Sequence, residues 1–231
     1  MSATYRAVQW NPQKRAYDRV IAASVTGYLA VFVGTGAVLF PDATLTILLI
    51  RAFGTAAFTL LQLILCIGPL CRLAPRFLPL LYNRRHLGVT AFALALAHAG
   101  LSVFEFHASG DVDLIASVLS GGPRFDPSSP LPFQAFGLAA LVILFVLAAT
   151  SHDFWLANLT PPVWKALHVS VYLAYALLVA HISFGVLQSD ASVVYPILLA
   201  IGLCVLATLH LAAARREAAA DRAALPTADR D

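Results

Sequence analysis

The sequence predicts an all-α fold: a polytopic membrane protein, built as a six-transmembrane-helix bundle. Three observations predict it. Of 231 residues, 60% are hydrophobic and only 12% are charged, and the mean hydropathy is +0.80. A soluble domain is about half apolar and about a quarter charged. The apolar residues are gathered into runs of about 20, the length that crosses the hydrocarbon core as a helix. Lys and Arg collect at alternate ends of those runs, which also sets the orientation.

Taken in order, the first 19 residues (MSATYRAVQWNPQKRAYDR) are polar and lack the apolar core and small-residue cleavage site of a removed signal. They are expected to form a cytoplasmic segment, 1–19, before a retained first span from Val20 to Phe40. Pro41 to Thr44 (PDAT) makes a short turn, and the second span covers Leu45 to Leu70. The third runs from Arg85 to Phe106. A Gly/Pro/Asp-rich loop follows, HASGDVDLIASVLSGGPRFDPSSPLP, in which DVDLIASVLS is expected to form a short interfacial helix. The fourth span is Phe133 to Thr150, the fifth Val163 to Leu187 and the sixth Val193 to Leu211. The transmembrane domain is therefore 20–212, and 213–231 is expected to be a cytoplasmic tail, fraying into disorder after one or two helical turns.

Lys14, Arg15, Arg19, Arg72, Arg76, Arg84, Arg85, Lys165, Arg215, Arg216 and Arg222 fall on one side of this topology, and only Arg51 and Arg124 on the other. Both termini are then cytoplasmic and the long loop faces outside. Trp155, Trp164 and Tyr82 fall where an interfacial aromatic belt belongs. The net charge of +3 follows from these flanking cations and implies a membrane lipid surround, not a nucleic acid. Cys66, Cys71 and Cys204 are odd in number and form no CxxC, so they read as small apolar fillers and not as a disulfide framework or zinc site.

Histidine inside a membrane-length helix is costly to bury and marks a candidate functional site. His98 lies in the third span; His168 and His181 lie in the fifth. Those two spans run in the same direction. His98 is seven residues before Glu105 and His181 seven before Gln188, so both sit about 10 Å below the outer boundary at the rise of a helix. A porphyrin held between two helices needs one imidazole from each at matching depth, and His98 with His181 meets that requirement. His168 is about 20 Å deeper and would serve a second site. His168 and His181 are thirteen residues apart, which turns them about 140° from each other on an ideal helix. They share a face only if the helix supercoils or carries an irregularity, and neither a glycine nor a polar residue marking a bulge is expected between them.

Other readings stand beside this one. In a small transporter or structural membrane protein the same histidines would be packing or proton-relay groups. A desaturase-type metalloenzyme needs an HxxxH or HxxHH cluster, which is absent. His86, His107, His152 and His210 fall near span ends and read as ordinary solvated imidazoles. Arg51 lies well inside the second span, where it either snorkels or pairs with haem propionates. Arg84 and Arg85 read as inside anchors that could also bind an inner propionate, a flavin phosphate or an acidic partner.

At these residues the chain resembles the ferric reductase-like transmembrane domain family, over about residues 44 to 190. The carriers are the Arg51 region with CIGPLCRL after it, RRHLG leading into the helix of His98, LAATSHDF, and WKALHVSVYLAYALLVAHISF. The family includes ferric reductases, NADPH oxidases and the haem-binding membrane subunit of a bacterial periplasmic methionine sulfoxide reductase system. The resemblance implies b haem, one or two, held by His98, His181 and His168, with Arg51 and Arg84 beside the cofactor. Larger members carry a fourth histidine on the third span; here Arg84 holds that position and His86 is two residues out of register. The methionine sulfoxide reductase subunit departs in the same way. The flavin and NAD(P)H domain of the larger members has no counterpart in this sequence. Electrons are therefore expected from a separate flavin reductase, a bound FMN or a quinone in its quinol form. The acceptor would be a periplasmic redox partner or ferric iron, and the chain an oxidoreductase component of the bacterial inner membrane.

Overall fold

The computed structural model describes residues 12–108, 113–120, 132–189 and 192–224, and every regular element among them is helical. Helix α1 is Pro12–Leu39 and α2 is Leu45–Leu73. A 3-10 turn at Pro75–Phe77 and the short α3, Leu78–Tyr82, lead into α4, Arg84–Phe106. The long loop contributes α5, Leu114–Ser120, and then comes α6, Phe133–Ala149. The short α7, Asp153–Asn158, precedes the fifth span, which is divided into α8, Pro161–Val169, α9, Val171–Phe184, and α10, Val186–Ser189. The last helix, α11, is Val194–Ala224.

Among the described residues, five helical stretches are long and apolar enough to cross a membrane: Lys14–Leu39, Leu45–Leu73, Arg84–Phe106, Pro161–Gln188 and Val194–Ala224. The sixth, Phe133–Ala149, is 17 residues, at the short end of the spanning range. The chain is thus an all-α multi-pass membrane protein. Its helix starts are locally encoded. Thr44 ends the PDAT turn in an extended conformation, and its hydroxyl accepts the Ile47 N–H at 3.2 Å, which satisfies one of the amides a helix start leaves open. Pro75 stands at the first position of the 3-10 turn, where its missing N–H costs nothing.

Helix α2 is the hub: it packs on α1, α4 and α11, while α6 pairs with α9 and touches α4. The main core joins Leu61, Leu65 and Cys66 of α2 to Ala140, Leu144 and Leu147 of α6, Ala174 and Tyr175 of α9, and Leu206 of α11. A smaller cluster, Ala56, Ala57 and Leu94, seats α2 on α4. Lipid is as apolar as these side chains, so burial alone drives little association; close packing and interhelical hydrogen bonds do. One such polar link crosses three helices. Tyr175 donates to Gln62 at 2.5 Å, and the Gln62 amide donates to the Gly202 carbonyl at 2.7 Å. Phe58 stacks on the Tyr175 ring at 5.5 Å.

Three expectations change. Helicity begins at Pro12, inside the segment expected to be cytoplasmic, and α11 runs unbroken to Ala224, so the tail is helical well past 212. Arg72 pairs with Glu217 at 3.2 Å and Arg216 donates to the Leu73 carbonyl, which pins that tail to the end of α2. The fifth span is broken at Ser170, between His168 and His181. Ser170 donates its hydroxyl to the Leu167 carbonyl at 2.6 Å and its own N–H to the same carbonyl at 3.1 Å. A serine hydroxyl competing for a helix carbonyl tightens and bends the chain locally. The irregularity that a shared face required is therefore present, carried by a serine and not by a glycine. The three cysteines are free; Cys66 and Cys71 are buried and Cys204 is exposed.

Gln62→Leu would leave the Tyr175 hydroxyl and the Gly202 carbonyl without their partner. We expect the detergent-solubilised protein to lose about 1–2 kcal/mol of stability, read as a lowered thermal unfolding midpoint. A midpoint equal to the unsubstituted protein's would show that the link adds nothing to packing.

Candidate functional site

The structure brings the His98 and His181 rings together. Their ring centres are 6.3 Å apart and their planes cross at 82°. Each imidazole is anchored from behind. His98 Nδ1 lies 2.9 Å from the Ile50 carbonyl on α2, and His181 Nδ1 lies 2.9 Å from the Phe133 carbonyl on α6. A carbonyl only accepts, so Nδ1 carries the proton in both rings, and in a neutral imidazole the lone pair is then on Nε2. Among the described residues neither Nε2 has a hydrogen-bond partner. This is the outer-shell arrangement that fixes a ligating histidine's tautomer.

The reason helical carbonyls are open to a second donor lies one turn further along each helix. A helical side chain leans toward the N-terminus, so the residue at i+4 covers the carbonyl of residue i. At both sites that residue is glycine. A Cβ at Gly54 would stand 2.8 Å from His98 Nδ1, and one at Gly137 would stand 2.8 Å from His181 Nδ1. Ordinary side chains would evict the imidazoles. Phe133 adds its ring, 5.4 Å from that of His181.

The pair can be tested against a metal. An imidazole nitrogen ligates a first-row metal ion at about 2.0 Å, and a five-membered ring of bonds about 1.3 Å long has its centre about 1 Å behind the nitrogen. Two imidazoles on opposite sides of one ion therefore hold their ring centres about 6 Å apart, as His98 and His181 do. Among the described residues no three His, Cys, Asp or Glu side chains converge as a metal site. A metal held here by protein alone would be short of ligands, whereas a haem brings four nitrogens and asks for two. The residues fit a haem.

Gly54, Gly137, Ile50 and Phe133 were not expected from the sequence, although it carries a signal for them. The chain repeats itself at an interval of 83 residues. Ala52-Phe53-Gly54 answers to Ala135-Phe136-Gly137, Ala56-Ala57 to Ala139-Ala140, and Leu61 to Leu144. In the following helix Ala91, Ala93, Leu94, Ala97 and His98 answer to Ala174, Ala176, Leu177, Ala180 and His181. Ala57 with Ala140, Leu61 with Leu144 and Ala91 with Ala174 are buried in both copies. The site is thus made from two copies of one hairpin, α2–α4 and α6–α9.

His168 is elsewhere. It stacks on Trp164 at 3.8 Å, its Nδ1 faces the Trp164 carbonyl at 3.0 Å, and its buried Nε2 has no partner among the described residues. Arg84 and Arg85 lie close enough to act on it electrostatically. In the 83-residue register His168 answers to Arg85, so the repeat that pairs His98 with His181 gives His168 a guanidinium. His86 is engaged elsewhere, 2.6 Å from Asp18 of α1 and edge-on to Tyr17. Arg51 directly follows the Ile50 carbonyl and is half-buried; among the described residues its guanidinium has no hydrogen bond or ion pair. Arg124 lies outside the described residues.

The span-end histidines are less ordinary than expected. His107 is buried, 6% exposed, because α5 folds back over the end of α4 and sets Ser117 Oγ 2.7 Å from His107 Nδ1. His210 meets the Tyr172 hydroxyl at 3.0 Å, and His152 caps α7 by accepting the Phe154 N–H.

Fold and site together define a multi-pass helical membrane protein with a close imidazole pair at the join of two repeated hairpins. Residues 53–179 match the family described as the ferric reductase like transmembrane component, and the chain belongs to that family. The match contains His98 and His168 and ends two residues before His181. The protein-methionine-sulfoxide reductase heme-binding subunit MsrQ of Azospira oryzae is 32% identical over 158 residues, which cover 68% of this chain and 62% of that relative. The chain thus spans less than two thirds of the length of the curated relative it matches.

Burial holds His107 below the ordinary histidine range. A released α5 exposes His107, which then takes up a proton near its usual value of about 6.5, while the docked form stays neutral. Docking is therefore at full strength above that value and weakens as pH falls through the lower, docked one. Limited proteolysis of the α5 region should accelerate between about pH 7.5 and about pH 5, and His107→Gln should remove the dependence. Equal cleavage rates at both ends of that range would contradict the burial argument.

Proposed function

We propose that the chain is a haem b-binding transmembrane electron-transfer subunit, with His98 and His181 as the two axial ligands of one haem. The observation that carries this reading is the 6.3 Å separation of two imidazoles whose Nδ1 atoms are both turned outward onto carbonyls. Bound there, the haem would supply one-electron redox chemistry, and the protein supplies position, ligands and a low-polarity surround. The Ile50 and Phe133 carbonyls hold the imidazole protons and raise the basicity of Nε2. With His98 and His181 both holding the haem, no position would be left for oxygen, which would suit transfer of electrons over activation of a substrate. Arg51, one residue beyond the Ile50 carbonyl, is assigned to a haem propionate, a charge-assisted pair.

The distribution of Lys and Arg supports placing both termini in the cytoplasm of a bacterial inner membrane and the His98–His181 pair in its outer half. At the inner end, Arg85 in the repeat position of His168 favours a single bis-imidazole haem. His168, Trp164, Arg84 and Arg85 offer there an imidazole nitrogen, an aromatic face and two cations, a set suited to an anionic or quinoid donor such as FMN or a quinol. Electrons would pass outward from that donor, or from a separate flavin reductase, to a periplasmic partner. The likeness to the haem-binding subunit of a protein-methionine-sulfoxide reductase supports a catalytic redox subunit as that partner, ahead of ferric iron.

Purified membranes are expected to show a reduced-minus-oxidised b-type spectrum with one haem per chain. His98→Ala or His181→Ala should abolish it, and His168→Ala should retain it. A preparation still spectrally empty after haem reconstitution would overturn the reading. Two haems per chain, one of them lost in His168→Ala, would overturn the single-site assignment. Arg51→Gln removes a positive charge that favours the reduced, less positive iron, so the midpoint potential should fall; redox titration showing no change would break the propionate assignment.

A further inference from the structure

We infer that Gly54 and Gly137 are positioning residues of the haem site, two copies of one device that turns each axial imidazole onto the carbonyl one helical turn before it. The inference rests on the haem reading and adds residues that act through the two imidazoles. Three observations converge. Both glycines sit four residues after the accepting carbonyl, at Ile50 and Phe133. At both, an added Cβ meets Nδ1 of the imidazole at 2.8 Å, with the next ring atom at 3.0 Å for Gly54 and 2.9 Å for Gly137. Both stand in the same Ala-Phe-Gly triplet, 83 residues apart and 44 residues before their histidine. Independent packing needs would not produce the same spacing, contact and hydrogen bond twice.

The consequence is orientational. An imidazole pushed off its carbonyl loses the acceptor that fixes Nδ1 as the protonated nitrogen, and its Nε2 swings away from the partner ring. The crossed planes at 82° are set by where the two carbonyls stand, since each hydrogen bond fixes one ring's rotation about its ligating axis. Axial-plane crossing and imidazole basicity are both properties that tune a bis-imidazole iron. Two other glycines, on α2 and on the helix of His98, lack this role: nothing lies within 4 Å of a Cβ built at Gly68 of α2 or Gly100 of α4.

The test uses the full-length protein in membranes and detergent, with haem content, ferric EPR and midpoint potential as readouts. The unsubstituted protein should give the highly anisotropic low-spin EPR signal of crossed imidazole planes. Gly54→Ala and Gly137→Ala should each lower haem retention several-fold or, where haem is retained, shift both the g-values and the potential. Gly68→Ala and Gly100→Ala should leave all three unchanged. Unshifted signals in both cradle variants, with haem at full occupancy, would overturn the inference while the haem reading stands. A colourless unsubstituted protein that stays empty after reconstitution would overturn both.

A second measurement needs no variant. In ferrous protein with 15N-labelled histidine, both ligated imidazoles should show a protonated, hydrogen-bonded Nδ1 protected from deuterium exchange. Two Nδ1 protons exchanging at the rate of free imidazole would refute the cradle even if the alanine variants fail to accumulate.

Discussion

A neutral imidazole between apolar helices carries two obligations: an N–H that needs an acceptor and a lone pair that needs somewhere to go. Leaving a buried polar group unpaired costs about 1–3 kcal/mol by mutational measures, and lipid offers no water to repair it. The arrangement around His98 and His181 discharges the first obligation on backbone carbonyls and, among the described residues, leaves the second without a hydrogen-bond donor. Backbone is the stiffest acceptor available, because α2 and α6 cannot rotate a carbonyl without breaking their own ladders. The imidazoles therefore inherit the rigidity of the helices, which is what a ligand pair at fixed separation requires.

That rigidity has to be kept by the bundle. α2 bears the Ile50 carbonyl and Gly54, and it is also the helix against which α1, α4 and α11 pack. The Tyr175–Gln62–Gly202 link ties α9, which carries His181, back to α2 and α11. Tyr28 of α1 donates to Thr55 at 2.8 Å, next to Gly54. The side chains that hold the helices in place thus lie within a few turns of the two imidazoles, and the register of one hairpin against the other is set close to that pair.

The two halves of the bundle treat the repeat differently. Toward the end near α5 the duplication is kept down to carbonyl, glycine and histidine. Toward the other end it is abandoned: Arg85 replaces the mate of His168, and Ser170 breaks the helix there. A symmetric half suits a bound group that asks for two like ligands. An asymmetric half, with an aromatic face, two cations and one unpartnered nitrogen, suits something that enters and leaves.

Much was legible from residues alone. Apolar run length, flanking charge and turn chemistry are local properties, so the sequence determined an all-α membrane protein, the bounds of its four middle spans to within three residues, and the matching places of His98 and His181 along their helices. That match is a count along a helix of fixed rise. What the tertiary structure decided was direction and company: that these two rings meet at 6.3 Å, that Gly54 and Gly137 uncover the carbonyls behind them, that His107 is buried under α5, and that the fifth span breaks at Ser170. Whether a carbonyl is free depends on the residue one turn later and on which helix lies across it. Linear spacing shows the first to a reader who lines up the repeat, but the second exists only once the hairpins are packed.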